Sequence, residues 1–354
     1  MADHIHTRRS FLRGAGQLAV GTALVGSMPT LLSACSTDSS QDAEGSFGKL
    51  TYQLGWIKSV QYAGSYIAVK EGYYLKEGFD SVDLMAGGPS APPIEAVVSS
   101  GNALVGVSSP AATADAIVQG ARLKIVGAQY QRSPYCIISL SEKPITTPEA
   151  MLGRRIGVPQ NNQPTWNAFL ALNELSSKDI TVVPVGFNPS VLPDGQVDGL
   201  MAFVSNEPIQ LSAQGVETHV MRMSDFGYAV INNDYVMSEK TLKERPEVVK
   251  AFFRAELRGW KRSVADARLS AELTVNEFGS DLGLDLDGQV EQSKVQNTLI
   301  VSDETRQNGM FTLSPRLVAS TVEVLQLTGV NIAAEQLFAL DLLESVLADD
   351  PTLR

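Results

Sequence analysis

The sequence predicts an α/β fold of two lobes, each a mainly parallel sheet flanked by helices, followed by a helical C-terminal segment. Three observations predict it. Apolar, β-branched runs alternate with helical patterns between Leu50 and Asn232, the pattern of parallel strands covered on both faces. About 310 residues follow a small-residue N-terminal stretch, a length that suggests two lobes. After Asn233 the strand-like runs stop and helical periodicity takes over.

The chain opens with Arg8-Arg9-Ser10-Phe11-Leu12-Arg13, which resembles a twin-arginine export pattern. The uncharged stretch from Gly14 to Ala34 is rich in Gly, Ala, Thr and Ser, and is only weakly apolar for a spanning helix. It ends in Leu32-Ser33-Ala34-Cys35, which resembles a bacterial lipobox. That resemblance implies a signal peptide over residues 1–34 and a lipid on Cys35; a signal cut elsewhere or a retained anchor helix is the alternative. Ser, Thr, Asp, Gln and Gly dominate residues 35–48, the composition of a flexible tether. Without residues 1–34, 25 basic side chains face 38 acidic ones, and the formal charge moves from −11 to −13. So acidic a body is a poor partner for nucleic acid, whose phosphates need a basic face.

The body begins with strands at Leu50–Trp56, Val82–Ala86, Leu104–Val107 and Leu123–Ala128. Helices near Ala63–Glu71, Ala91–Ser99 and Ala111–Val118 separate them. Further strands are expected at Ile137–Leu140, Arg155–Val158, Ile180–Val185, Gly199–Phe203 and Tyr228–Asn232, with helices near Thr165–Glu174 and Glu207–Gln214. Lys240–Ala265, Ser270–Phe278, Gln289–Thr298, Pro315–Leu327 and Ala334–Val346 then read as consecutive helices. Pro246 suits a first helical turn, Glu247 complements the dipole, and Val248, Val249, Phe252 and Phe253 recur at helical spacing.

In open parallel sheets ligands bind at the carboxyl ends of strands, where the next helices begin. Several such junctions share a chemistry. Trp56 is followed by Gln61, Tyr62 and Tyr66; Gly88 and Ser90 precede the second helix; Ser108 and Ser109 precede the third. Asn161 and Asn162 come just before Trp166, and Phe203 just before Glu207. With Tyr130 these are the candidate ligand-binding residues. Gly, Ser and Asn are also ordinary turn and cap residues, but the rings are unexpected. Aromatic residues make up 7% of the chain, yet they gather at these rims. A ring-lined pocket suits a flat ligand.

Other chemistries are poorly supplied. His219 is the one histidine beyond the N-terminal stretch and reads as a surface strand or loop residue. A histidine triad or histidine-rich metal site is hard to build from it. Cys136, in "PYCIISL", reads as a small buried hydrophobe. No cofactor or metal is expected. Lys58 and Arg132 are the candidate cations near the junctions, and both read as solvated loop or hinge residues.

The segment "GW-x(5)-YAGSYIAVKEGYYLKEGFDSVDLMAGG", with "LGRRIGVPQNN", "VDGLMAFVSNEP" and "RPEVVKAFFRAELRGW" later, resembles the thiamine-pyrimidine-synthesis-like family of solute-binding proteins. The resemblance implies a two-lobed periplasmic-binding-protein fold serving an ABC importer. It implies one lobe from 49–134 and 227–354 and another from 135–226. The hinge would lie near Gln131–Tyr135 and Ser224–Tyr228. It also implies a heterocyclic small-molecule ligand, a membrane permease as partner, an extracytoplasmic location and a monomer. Pyrimidine binders of the family typically have His-x-Gly where this chain has Tyr62-Ala63-Gly64, which argues against a phosphorylated pyrimidine. Glu207 matches the family's acidic corner and would accept hydrogen bonds from ring N–H or amino groups; a carboxylate favoured by the helix dipole is the alternative. The rival ligands are alkanesulfonate or nitrate anions, held by N–H groups. The rival activity is pyrimidine synthesis, which in relatives needs a site histidine and an iron-binding cysteine cluster.

Overall fold

Two five-stranded sheets form the computed structural model, which describes residues 46–354. The export pattern, Cys35 and the tether up to residue 45 lie outside the described residues. Strand β1 (Lys49–Gln53) pairs in parallel with β2 (Ser81–Met85) through a crossover holding α1 (Ala63–Lys70) and the short α2 (Tyr73–Lys76). Helix α3 (Ile94–Ser99) leads to β3 (Val105–Ser108), which pairs in parallel on the other side of β1. Helix α4 (Pro110–Val118) then leads to β4 (Leu123–Tyr130).

The chain next builds the second sheet from β5 (Tyr135–Leu140), β6 (Arg155–Pro159), β7 (Thr181–Val185), β8 (Gly199–Phe203) and β9 (Thr218–Arg222). Helix α5 (Gln163–Leu172) follows β6, and α6 (Glu207–Ala213) follows β8. The chain returns to the first sheet as β10 (Asn232–Ser238). The strand orders are β2-β1-β3-β10-β4 and β7-β6-β8-β5-β9. Both sheets are mixed: β10 is antiparallel to β3 and β4, and β5 to β8 and β9. In each sheet the antiparallel member is the strand that has just crossed from the other one, whereas the remaining pairs keep the parallel βαβ pattern.

Two strands differ from expectation. In the run Tyr228–Ile231, Tyr228, Val230 and Ile231 are buried but lie outside the strand, which starts at Asn232 instead. An apolar run signals burial, not a hydrogen-bonded ladder: Tyr228 and Val230 join the second lobe's core, and Ile231 the cluster under the C-terminal helices Pro315–Leu327 and Ala334–Leu337. Strand β9 was not expected: it is an edge strand of partly exposed residues and has no apolar run to announce it. His219 lies on it, half-buried, opposite Ser139.

The C-terminal segment is helical: α7 (Glu239–Glu244), α8 (Pro246–Ala265), α9 (Ala267–Leu273), α10 (Leu286–Ile300), α11 (Asp303–Asn308), α12 (Pro315–Leu327), α13 (Ala334–Leu337) and α14 (Asp341–Asp349). The expected single helix over Lys240–Ala265 breaks at Arg245, because Pro246 lacks an N–H and disfavours helical geometry in the residue before it. Helix α8 buries Val248, Val249, Phe252, Phe253, Leu257 and Trp260 against the first sheet and α1. On the opposite face α12 and α13 cover α4. Helix α10 touches α6, and α12 touches α5, so the C-terminal helices reach the second lobe as well.

The contact of α1 with α8 is closer than side chains allow. A Cβ on Gly259 would lie 2.1 Å from the Gly64 carbonyl oxygen, and one on Gly64 would lie 2.3 Å from the Trp260 ring. Gly259→Ala is therefore expected to destabilise the protein by about 2 kcal/mol or more. Gly186, with open space around it, is the control. Its alanine variant should stay within about 0.5 kcal/mol of the parent in urea unfolding.

Candidate functional site

Strand ends of both sheets line one cavity of about 890 Å³. From the first sheet come Gly55 and Trp56 after β1, the loop from Gly87 after β2, Ser108 and Ser109 after β3, and Asn232 and Asn233 at the start of β10. From the second come Tyr135, the turn Gln160–Asn162 after β6, Phe203 at the end of β8, and Asn206 and Glu207.

Local hydrogen bonding fixes these walls. The loops after β1 and β2 are joined by Gly87 N–H to the Trp56 carbonyl at 2.9 Å and by Gln53 Nε2 to the Ala86 carbonyl at 2.9 Å. A Cβ on Gly87 would fall 2.1 Å from the Leu54 carbonyl oxygen, so this approach needs glycine. The 3-10 turn Val60–Tyr62 brings Gln61 and Tyr62 to the wall. Helix α10 grips it from behind: Gln289 Oε1 accepts from Val60 N–H at 2.8 Å, and Gln296 Nε2 donates to the Val60 carbonyl at 3.1 Å. Ser109 caps α4, and the Thr165 hydroxyl on α5 reaches its Oγ at 3.4 Å, linking the two lobes.

Trp56, Tyr62, Tyr135 and Phe203 supply ring surface to the wall, and Tyr135 meets Phe203 edge-on at 4.8 Å. The Tyr62 hydroxyl and Asn232 Nδ2 are buried without hydrogen-bond partners. Both belong to cavity-lining residues, so they are groups that a ligand can satisfy. Glu207 accepts from Phe203 N–H and Asn206 Nδ2, each at 2.8 Å. Burial pushes its pKa up to about 7, against the pull of those donors. Every charged lining residue is acidic: Glu95, Asp115 and Glu207. Burial also raises Asp115. No Lys, Arg or His lines the cavity among the described residues, and Lys58 and Arg132 are off its wall.

The expected residues Trp56, Gln61, Tyr62, Gly88, Ser90, Ser108, Ser109, Asn161, Asn162, Phe203 and Glu207 meet at this cavity. Tyr66, Tyr130 and Trp166 do not, which corrects their expected role as lining residues. Tyr66 stacks on Phe278 at 4.4 Å and donates to the Ser59 carbonyl. Tyr130 lies behind Phe203 and donates to Gln296. Trp166 is fully buried in the second lobe's core. Each successive helical residue turns by about 100°, so closeness to a strand end does not fix which way a ring points. Glu95, Asp115, Asn232 and Asn233 were missed. The signal for Asn232-Asn233 is a polar pair ending an apolar run; Glu95 and Asp115, inside helical patterns, have none. Cys136 is fully buried and its thiol pKa is raised by that burial. Among the described residues, no group of three or more His, Cys, Asp or Glu is placed to hold a metal ion, and no helix is long and apolar enough to cross a membrane.

The family described as NMT1/THI5 like matches residues 59–268, more than half of the chain. The chain belongs to the NMT1/THI5-like family. This family member is 28% identical to the riboflavin-binding protein RibY of Chloroflexus aurantiacus, with 87% of this chain and 89% of that one covered. It is 25% identical to the formylaminopyrimidine-binding protein of Halalkalibacterium halodurans, covering 69% of this chain and 75% of that one. Its fold is shared with the alkanesulfonate-binding protein SsuA from Xanthomonas axonopodis pv. citri bound to MOPS. That match has a TM-score of 0.59 at 14% identity and covers 81% of this chain and 95% of that one. The NMT1/THI5-like member thus has the two-lobed periplasmic-binding-protein fold that the sequence predicts.

Glu207 makes stability depend on pH. Its folded pKa of about 7 lies above the ordinary 4.5, so the folded state holds the proton more tightly than the unfolded chain. That contribution is complete below the unfolded value and is lost as pH rises through the folded one. Relative to Glu207→Gln, the wild type should lose about 3 kcal/mol between about pH 5 and pH 8, read from urea unfolding at each pH.

Proposed function

We propose that the protein is the extracytoplasmic solute-binding component of an ABC importer. Its ligand is a flat, uncharged nitrogen heterocycle of riboflavin or pyrimidine type, held in the cavity between the sheets. One observation carries this reading: the wall combines ring surface from Trp56, Tyr62, Tyr135 and Phe203 with amides and carboxylates, and has no cation. Such a wall stacks a planar ligand and accepts its N–H groups. An anion would meet no cation among the described residues and would face each of Glu95, Asp115 and Glu207 that is ionised. At about 6 Å and an effective dielectric constant of roughly 20, each like-charge pair costs about 3 kcal/mol. Sulfonate, nitrate and phosphate esters are therefore disfavoured.

Size favours the larger heterocycle. A cavity of about 890 Å³ has room for a tricyclic ring with a polyol chain, and a lone pyrimidine would leave most of it unfilled. The relatedness to a riboflavin-binding protein points the same way. In this reading Gln131–Tyr135 and Ser224–Tyr228 form the hinge between a lobe of 49–134 with 227–354 and a lobe of 135–226. Closure over the ligand presents the form that the permease recognises. Cys35 carries the lipid that holds a monomer at the membrane surface. In this reading the protein binds its ligand without transforming it; His219 sits on an edge strand and Cys136 is buried.

Titration of flavin fluorescence with the purified domain should show one-to-one quenching by binding. Trp56→Ala should weaken that binding roughly tenfold through lost stacking. Binding of an aliphatic sulfonate, with no response to riboflavin or to thiamine-precursor pyrimidines, would falsify the reading.

A further inference from the structure

A line of buried hydrogen bonds runs from the cavity wall into the core of the first lobe. Gln61 Nε2 donates to Asn233 Oδ1 at 3.1 Å, and Asn233 Nδ2 donates to Gln129 Oε1 at 2.9 Å. Gln129 Nε2 donates to the Tyr235 hydroxyl at 3.1 Å, which donates to Glu256 Oε2 at 3.0 Å. Glu256 is fully buried on α8, where Trp260 Nε1 donates to the same Oε2 at 2.9 Å and the Tyr74 hydroxyl donates to Oε1. Gln61 and Asn233 line the cavity; Gln129, Tyr235 and Glu256 lie behind it.

The direction of this line follows from its inner end. An indole N–H only donates, so Oε2 of Glu256 is an acceptor, and a proton taken up by Glu256 sits on Oε1, facing Tyr74. The Tyr235 proton then points to Oε2, and the Tyr235 oxygen is left with lone pairs for Gln129. Gln129 must offer its NH2 there, which turns its carbonyl toward Asn233. Asn233 must offer its NH2 to Gln129, which turns its carbonyl toward Gln61. Gln61 therefore turns its NH2 inward, with one N–H on Asn233, and its carbonyl oxygen is the acceptor it keeps for the cavity beside the second N–H. A reversed amide anywhere along the line would set two donors or two acceptors face to face in a dry interior, costing about 1–3 kcal/mol.

We infer that Glu256 and Tyr235 are positioning residues for ligand recognition: they fix which end of the Gln61 amide turns inward, and its carbonyl oxygen meets an N–H on the ligand edge. The inference deepens the heterocycle reading and rests on it for the identity of the ligand, but the polarity of the line is a property of the protein alone. It is also a specificity device that no contact list at the cavity would reveal, because neither positioning residue touches the ligand.

The polarity is tested without ligand. In the labelled domain, a scalar coupling across the hydrogen bond is expected from the Gln61 side-chain nitrogen to the Asn233 side-chain carbonyl carbon. A coupling from the Asn233 nitrogen to the Gln61 carbonyl would overturn the inference. Recognition is tested with riboflavin and 3-methylriboflavin, which lacks the ring imide N–H. The wild type should prefer riboflavin by about tenfold, the worth of one hydrogen bond and its unmade alternative. Tyr235→Phe should cut that preference to about twofold, because Gln129, Asn233 and Gln61 are then free to turn over. Glu256→Gln should keep it, since its amide oxygen must still face the Trp260 N–H. Equal affinity of the wild type for both flavins, or equal weakening of both by Tyr235→Phe with the preference intact, would leave these residues a purely structural role. If no flavin binds, the heterocycle reading fails, and the coupling still decides the polarity.

Discussion

The close crossing of α1 on α8 is the constraint on which the site depends. Gly64 and Gly259 let the two backbones meet, and Trp260 lies directly over Gly64. This contact sets the height of α1 above the first sheet, and with it the turn Val60–Tyr62 that leads into the helix. It also brings Glu256, one turn before Trp260, within reach of Tyr74 and Tyr235. One helix pair thus places both the cavity wall and the polar groups behind it. Packing at interior density transmits such placement, because displaced backbone has nowhere to go.

Among the described residues, the buried carboxyls of Glu207, Asp234 and Glu256 have no buried cation beside them. Glu207 is held by a backbone N–H and an amide, and Glu256 by two hydroxyls and an indole. Burial raises the pKa of both, and that of Asp234, whose two carboxylate oxygens have no partner and whose neighbour is Glu95. Neutralisation by proton uptake is the ordinary escape from the desolvation cost of a lone buried charge. The acidic bias of the whole chain therefore continues into its interior and onto the cavity wall, through Glu95, Asp115 and Glu207.

Much of this was legible in the sequence, for identifiable reasons. Strand β6 and helix α5 announce themselves through Ile156 and Val158 followed by Asn-Asn and Pro164, a run and a stop that local chemistry dictates. Ser108 and Ser109 were visible as residues of the cavity wall because a strand end preceding a helix start is a place, not a contact. Trp166 and Tyr66 were misplaced because the direction of a helical side chain is decided by what the helix docks against. Asn233 takes a positive φ of 53°, tolerated by Asn better than by most residues, and its place on the wall depends on β10 entering between β3 and β4. No local pattern specifies that insertion. The Gln129 to Glu256 line joins residues more than a hundred positions apart and was invisible for the same reason.

The C-terminal helices have a mechanical consequence. Helix α12 lies against α4 and α5, and α10 lies against the turn Val60–Tyr62 and α6, so each spans from one sheet's helices to the other's. Two peptide ribbons alone would let the halves swing like a book on its spine. With these two braces in place, widening the mouth must also slide α5 along α12 and α6 along α10. The travel is then short and guided, closer to a drawer on rails than a free door.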